Sequence, residues 1–327
     1  MTTLERLNSY LNQPNTFSRN AEQIVELLLE FIQSYEGRDN VFGDENKSDE
    51  LRPLLATVSS PSASIPVETD ILLARMMKIL LRKSANRLAL GKNGIQSIIR
   101  SLSRIQAEKN IIALAEMCNV VLNTCYDSVN VLFLIELGGV TPLLSFLKTS
   151  DVPVLSSALG ALQGLCYVPS GRQCIRTDIK ALRRIATFLV AEESVIRARA
   201  VGVVHNLSVD IVSINCIVET GCIPALVRLL RDSSAEICRA AAGTIQNISR
   251  DIVARAAIVE TGALDYLSDL LFASDVACQI AAVGTILNIV GSSLETEEER
   301  KVLNQMLTDG LVVGALRSSI FDTGDSS

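Results

Sequence analysis

The chain has 327 residues, of which 48% are hydrophobic and only 4% aromatic, with no Trp. Burial therefore depends on Leu, Ile, Val and Ala, which is typical of stacked helices and not of a core built around aromatic rings. The net charge of −6 argues against nucleic acid or an anionic membrane as the main partner. No apolar run reaches transmembrane length, so we expect a cytoplasmic protein without direct membrane insertion. Association with the cytoskeleton or a cilium, and presence in the nucleus, stay open.

Residues 1–84 predict an irregular N-terminal helical cap. The segment AEQIVELLLEFIQSYE, which begins at residue 21, has the periodicity of an amphipathic helix. A polar stretch at 37–50 and a Ser/Pro-rich segment at 58–68 predict mobile loops. Residues 70–84 have the pattern of the last helix of a degenerate repeat.

From residue 85 to residue 291 the sequence repeats about every 41 residues. Asn206, Asn247 and Asn288 each close a similar segment, and the same register runs back through Gly164 to Asn123. A second marker is a glycine at an equivalent turn of four units, and these glycines are Gly94, Gly138, Gly221 and Gly262. Two markers in one phase predict five repeats of a solenoid.

The unit at 210–250 shows how each repeat divides into three helices. Gly221 is placed to end the first helix, and Pro224 then lies in the first turn of the second. The third helix, over 235–249, is dense in small residues because it packs against helices on several sides. Residues 292–327 predict capping helices and a tail that cover the last apolar face.

These motifs resemble the armadillo repeat family. The stretch ETGxxxxLxxLL is followed about 20 residues later by AAxGTIxNI, which is close to that family's consensus. The resemblance implies an all-α fold, a right-handed armadillo-type α-solenoid in which three-helix repeats form a superhelix. Gly202, Gly243 and Gly284 stand where importin-α proteins carry Trp, so the pattern is closer to β-catenin-like proteins than to importin-α.

Proteins of this family bind extended peptides in a concave groove lined by the third helices, where the repeated Asn bonds the main chain of the ligand. The resemblance therefore implies that Asn123, Asn206, Asn247 and Asn288 contact a partner. The alternative is that these side chains tie adjacent helix ends together. The glycines four residues before Asn206, Asn247 and Asn288 allow either close packing of the helices or room for a ligand.

The groove around residues 197–247 is the predicted recognition site. Six side chains should converge there from two adjacent third helices, namely Arg199, His205, Asn206, Arg239, Gln246 and Asn247. The arginines are suited to Asp, Glu or phosphoserine, while the asparagines would hold the backbone. We therefore expect an extended protein segment, acidic or phosphorylated, as the partner.

Catalysis finds little support in the sequence. His205 is the only histidine, no Gly-rich phosphate loop follows a strand, and the eight cysteines lack CxxC spacing. We expect reduced thiols, no metal, no cofactor and no enzymatic activity.

The predicted function is a non-enzymatic scaffold or adaptor. The alternative is a regulator of a folded partner, such as a small GTPase, of the exchange-factor or chaperone type, through the solenoid ends or the convex face. The oligomeric state is left open.

Overall fold

The structure is a computed structural model that describes residues 3–13, 19–35 and 66–290. Within those ranges all regular secondary structure is helical, which confirms the predicted all-α class. The loops predicted within 37–65 and the capping helices predicted within 292–327 lie outside the described residues.

The helices are α1 (Thr3–Leu11), α2 (Ala21–Tyr35), α3 (Val67–Leu80), α4 (Ser84–Ala107), α5 (Ile111–Thr124), α6 (Ser128–Glu136), α7 (Val140–Phe146), α8 (Val152–Leu165), α9 (Pro169–Thr177), α10 (Ile179–Thr187), α11 (Ser194–Ser208), α12 (Ile211–Glu219), α13 (Ile223–Leu229), α14 (Ala235–Ile248), α15 (Ile252–Glu260), α16 (Ala263–Leu270) and α17 (Val276–Val290). From α3 onward the helices follow one another with short connections. A single 3-10 turn, Phe188–Val190, follows α10.

The chain forms two compact units, one over residues 1–174 and the other over residues 175–327. In the first unit, α2 packs on α3, α3 on α5, and α5 on α8. In the second unit, α11 packs on α14 and α14 on α17. The third helices of successive repeats therefore stack on one another within each unit, as a repeat architecture requires.

The repeat at 210–250 shows how local sequence sets the helix boundaries. Asp210 caps α12 by accepting a hydrogen bond from the backbone N–H of Val212. Gly221 follows α12 with a φ of 71°, a left-handed conformation that a side chain disfavours. Pro224 lies in the first turn of α13, where its missing N–H costs nothing. These observations confirm the predicted end of the first helix and start of the second helix in this repeat.

The turn predicted at Gly94 is wrong by three residues. Helix α4 kinks at Gly91, which has a φ of 55°, whereas Gly94 is buried inside the second half of the helix. Gly138 and Gly262 take the left-handed conformation, as expected for the same turn. The spacing from Asn86 misled the prediction, because the first segment of α4 ends earlier than the first helix of the later repeats.

The core is aliphatic, and it includes Leu226, Ile245 and Ile248. Within the described part of the chain, no single helix is both long and apolar enough to cross a membrane. Two pairs, α6 with α7 and α12 with α13, meet those criteria only when taken together, and they are bent by 88° and 99° respectively.

Candidate functional site

The third helices of the second unit carry a continuous stripe of exposed or half-exposed residues at helical spacing. On α14 the stripe contains Glu236, Arg239, Gly243, Gln246 and Asn247. On α11, His205 and Asn206 stand at the positions equivalent to Gln246 and Asn247, and the half-exposed Arg199 stands at the position equivalent to Ala240. On α17 the equivalent positions include Ala277, Ile280 and Asn288. We call this stripe the third-helix face. It brings together all the predicted site residues except Asn123.

Two asparagines of this face are anchored to the preceding repeat. Asn247 donates its side-chain amide to Ser208 Oγ at 3.0 Å, and Asn288 donates to Ser249 Oγ at 2.8 Å. Each serine hydroxyl in turn donates to a carbonyl of its own helix, Ser208 to the carbonyl of His205 at 2.6 Å. Each serine hydroxyl therefore accepts a hydrogen bond from the Asn of the following repeat and donates one to a carbonyl of its own repeat.

The anchoring leaves part of each amide free. The carbonyl oxygens Oδ1 of Asn247 and Asn288 have no hydrogen-bond partner among the described residues, and both side chains are half-exposed. An amide that is fixed through its N–H₂ group presents its carbonyl in a defined direction. The two roles considered for these residues are therefore compatible. Asn206 is half-exposed at the same position of α11.

The first unit has a different arrangement at this position. Asn123 on α5 donates to the backbone carbonyl of Lys78 on α3 at 2.8 Å. In the next repeat the position is Gly164, where an added Cβ would lie 2.6 Å from Cys125 Cβ. No side chain fits there, which explains why the Asn marker is interrupted at that repeat.

Side chains of the preceding third helix lie over two of the glycines that stand at the Trp positions. An added Cβ at Gly243 would lie 2.9 Å from His205 Cε1, and one at Gly284 would lie 2.1 Å from Gln246 Nε2. The residue before each Asn, His205 on α11 and Gln246 on α14, therefore covers the glycine of the following repeat. Of the two explanations left open by the sequence, the contacts favour packing.

His205 is held in the neutral form. Burial lowers the pKa of its imidazole. Its Nδ1 lies 3.4 Å from Thr244 Oγ1, and that hydroxyl already donates to the carbonyl of Ala240 at 2.6 Å. Since Thr244 has a single proton, the contact favours Nδ1–H as the donor and leaves Nε2 as an acceptor.

The two predicted arginines differ in what surrounds them. Arg239 is exposed, and its Nε donates to Asp275 Oδ2 at 2.9 Å, in the loop before α17. This internal partner did not follow from the sequence. Arg199 is half-exposed and forms no ion pair with a described carboxylate. Arg199 can therefore bind an external anion directly, whereas Arg239 must first break its ion pair with Asp275.

Three residues of the site were missed by sequence reasoning. Ser208 and Ser249 stand two residues after an Asn, so the recurring NxS pattern was a usable signal. Arg250 follows one residue later, where it donates through Nη2 to the backbone carbonyls of Ser208 and Val209 at 2.9 and 3.1 Å. It is exposed and forms no ion pair with a described carboxylate, so it adds positive charge beside Asn247.

The described residues contain no group of three or more His, Cys, Asp or Glu side chains placed to hold a metal ion. Five of the eight cysteines are buried, and all eight are free thiols.

Comparison with known proteins gives a family match over two segments of the chain and a fold. The family described as Armadillo/beta-catenin-like repeat matches residues 127–167 and 213–250. No curated protein matches the sequence significantly. Both matched segments lie within residues 85–291, where the 41-residue period predicts the repeats.

Solved structures of designed proteins resemble this chain at low sequence identity. A designed armadillo repeat protein is 17% identical, with a TM-score of 0.60, over 88% of this chain and 99% of its own. Another, in complex with the peptide (KR)4, is 18% identical, with a TM-score of 0.57, over 88% of this chain and 100% of its own. Computationally designed armadillo repeat proteins for modular peptide recognition are 19% identical, with a TM-score of 0.62, over 73% and 99%. The likeness shows the armadillo-repeat fold.

Proposed function

We propose that this chain, an armadillo-repeat protein, is a non-enzymatic scaffold that binds an extended segment of a partner protein on the third-helix face of its second unit. The observation that carries the proposal is the pair of anchored asparagines on neighbouring helices. Asn247 and Asn288 are each half-exposed, and the carbonyl oxygen of each side chain has no hydrogen-bond partner among the described residues.

Such a pair suits the main chain of a peptide. A backbone N–H is a donor whatever the side chain of its residue, so a fixed amide carbonyl can accept it without reading sequence. Repeating the acceptor once per helix sets the register of an extended strand. The designed relatives described as peptide binders have the same fold, which supports a peptide as the ligand here.

Charge on the third-helix face would choose among peptides. Arg199, Arg239 and Arg250 lie on or beside the face, against Glu236 on the face and Asp275 at its edge. Arg239 is already paired with Asp275, so Arg199 and Arg250 are the cations without an internal carboxylate. We therefore propose an acidic or phosphorylated segment as the ligand, the opposite of the basic peptide carried by the designed relative.

A peptide-binding measurement with charge-altered variants tests this proposal. A fluorescent peptide of alternating Asp and Glu should bind the chain more tightly than the peptide (KR)4, at moderate salt. Arg199→Glu should weaken the acidic peptide about tenfold, which is on the order of 1.4 kcal/mol. Asp275→Asn should strengthen it several-fold, because Arg239 loses its internal carboxylate while the loop keeps an oxygen to cap α17.

A matched control uses Arg183→Glu, which makes the same charge change at an exposed position of α10, outside the third-helix face. It should leave the peptide affinity within about twofold, since exposed charges more than a Debye length apart are screened. A preference for (KR)4, or an equal loss with Arg183→Glu, would remove the third-helix face as the recognition surface. Binding of only a folded protein, insensitive to all three variants, would favour the alternative function of regulating a folded partner.

A further inference from the structure

Two thiols of neighbouring third helices lie close together in the second unit. Cys238 on α14 and Cys278 on α17 have their sulfur atoms 3.9 Å apart. Cys238 is half-buried and Cys278 is buried, and both are free. The two residues are 40 positions apart in the sequence, so each repeat contributes one thiol to a single interface.

The repeats themselves show that this interface differs from its neighbour. Cys238 occupies the position that Arg197 holds in α11 and Gln279 holds in α17. Arg197 donates to the carbonyl of Ala191 at 2.9 Å, and Gln279 donates to the carbonyl of Ala273 at 2.7 Å. A thiol is a weak donor, so the 3.1 Å contact from Cys238 Sγ to the carbonyl of Leu230 is a poor substitute for either bond.

Cys278 is likewise an exception at its own position. The equivalent residues of α11 and α14 are Ile196 and Ile237, which are 2% and 1% exposed. Arg197 and Ile237 therefore stand at the positions of α11 and α14 that are equivalent to the two cysteines of α14 and α17. At the position of Cys238 the other repeats carry a side chain that donates to a loop carbonyl, and at the position of Cys278 they carry a buried isoleucine. Neither of these roles explains why both positions are cysteine in the same interface.

We propose that Cys238 and Cys278 form a reversible disulfide that ties α14 to α17. A disulfide needs the sulfur atoms at about 2.05 Å, and rotation about the two Cα–Cβ bonds is the means of closing the gap. The bond would fix the spacing of the two helices that carry Asn247 and Asn288.

The chemistry requires an oxidant, and we assign that role to a small disulfide of the glutathione type. The Cys238 thiolate, at the half-buried sulfur, attacks one sulfur of oxidised glutathione and releases one glutathione thiolate. Cys278 then loses its proton and displaces the second glutathione from Cys238. Two protein thiols are oxidised, one external disulfide is reduced, and two protons are passed to the two glutathione thiolates released. Excess reduced glutathione or dithiothreitol reverses both steps.

The surroundings of Cys238 and Cys278 slow the thiol–disulfide exchange but do not prevent it. Burial raises the pKa of both thiols, that of Cys278 to about 12, and Asp275 raises the pKa of both further. Asp232 also raises the pKa of Cys238, whereas Arg239 lowers the pKa of Cys278. The reduced pair is therefore the resting form, and closure follows sustained exposure to oxidant.

Oxidation of the intact chain tests the proposal. The 327-residue chain is incubated with oxidised glutathione, alkylated, and digested without reductant for peptide mass spectrometry. We expect a cross-linked peptide that joins residues 238 and 278, with the loss of two hydrogen atoms. The melting temperature should rise by about 4 °C or more, since the cross-link restricts the unfolded chain, and dithiothreitol should restore the original value.

Cys238→Ser should abolish both the cross-link and the rise in melting temperature. Cys216→Ser, at a half-buried thiol of α12, is the matched control and should change neither. Cys278→Ser provides a second test, in which Cys238 should accumulate as the mixed disulfide with glutathione. Persistence of free thiols at both positions after exhaustive oxidation, or a rise in melting temperature that survives Cys238→Ser, would overturn the proposal.

Discussion

Asn247 donates its side-chain amide to Ser208 Oγ at 3.0 Å, across the interface between two third helices. Ser208 is wholly buried, whereas Asn247 is half-exposed. The bond therefore runs from the surface into the core and orients a surface group from inside. The N–H₂ group of Asn247 is held by this bond, while its side-chain carbonyl oxygen has no hydrogen-bond partner among the described residues.

Removing the buried hydroxyl tests the structural half of this relationship. Ser208→Ala deprives Asn247 of its acceptor and the carbonyl of His205 of a donor. We expect a loss of about 1 kcal/mol in the free energy of unfolding, seen as a lower urea midpoint. Ser233→Ala, at an exposed loop position, should leave the midpoint unchanged. Equal midpoints for the two variants would show that the Asn–Ser bond adds nothing to stability.

Two glycine substitutions should have opposite outcomes although both lie in third helices. At Gly164 an added Cβ meets Cys125 Cβ at 2.6 Å, which is tied to the backbone and cannot move aside. At Gly284 the nearest atom is the end of the flexible Gln246 side chain. Alanine is favoured over glycine by about 1 kcal/mol in a helix.

We therefore expect Gly164→Ala to destabilise the chain by about 1 to 3 kcal/mol, the cost of overpacking, and Gly284→Ala to be neutral or stabilising. Thermal unfolding followed by circular dichroism measures both. A larger loss from Gly284→Ala than from Gly164→Ala would contradict the packing described here.

The pH dependence of stability should contain a contribution from the single histidine. Burial lowers the pKa of His205 in the folded chain, so below its ordinary pKa of about 6.5 the unfolded chain binds the proton more readily. The stability that depends on neutral His205 is therefore complete above that pH. It declines as the pH falls from about 6.5 toward the folded pKa.

His205→Gln is the suitable comparison, because Gln246 fills the same place in the next repeat. The difference in melting temperature between wild type and His205→Gln should shift against the wild type between about pH 7.5 and about pH 5.5. Since the chain has one histidine, its imidazole proton signals can also be followed directly by NMR. A titration midpoint above 6.5 would show that the ring is not held neutral.

The left-handed turn after α12 makes a further prediction. Gly221 has a φ of 71°, and no atom lies within 4 Å of an added Cβ. Gly221→Ala should therefore cost about 1 kcal/mol through backbone strain alone. Gly221→Asn should cost less, because Asn tolerates this conformation. Chemical denaturation of the two variants separates strain from steric clash, which would penalise the larger Asn more.

The repeat and most of its helix boundaries could be predicted from the order of the amino acids. Gly221 and Pro224 act within a few residues of where they stand, so their effect on α12 and α13 can be inferred from neighbours in the chain. The 41-residue phase then places equivalent residues on equivalent helices. Where the local spacing changed, as between Asn86 and Gly91, the same inference chose the wrong glycine.

The contacts of these periodic side chains could be established only from the packing of the helices. Asn247 contacts Ser208, Arg239 contacts Asp275, and Gln246 lies over Gly284. The two residues of each pair are 36 to 39 positions apart in the sequence. A periodic pattern shows that two helices are neighbours, but not which rotamer each side chain adopts across the interface. Hydrogen-bond pairing and steric fit depend on those rotamers, so the Asn–Ser bonds and the adjacent thiols could not be inferred from the repeat alone.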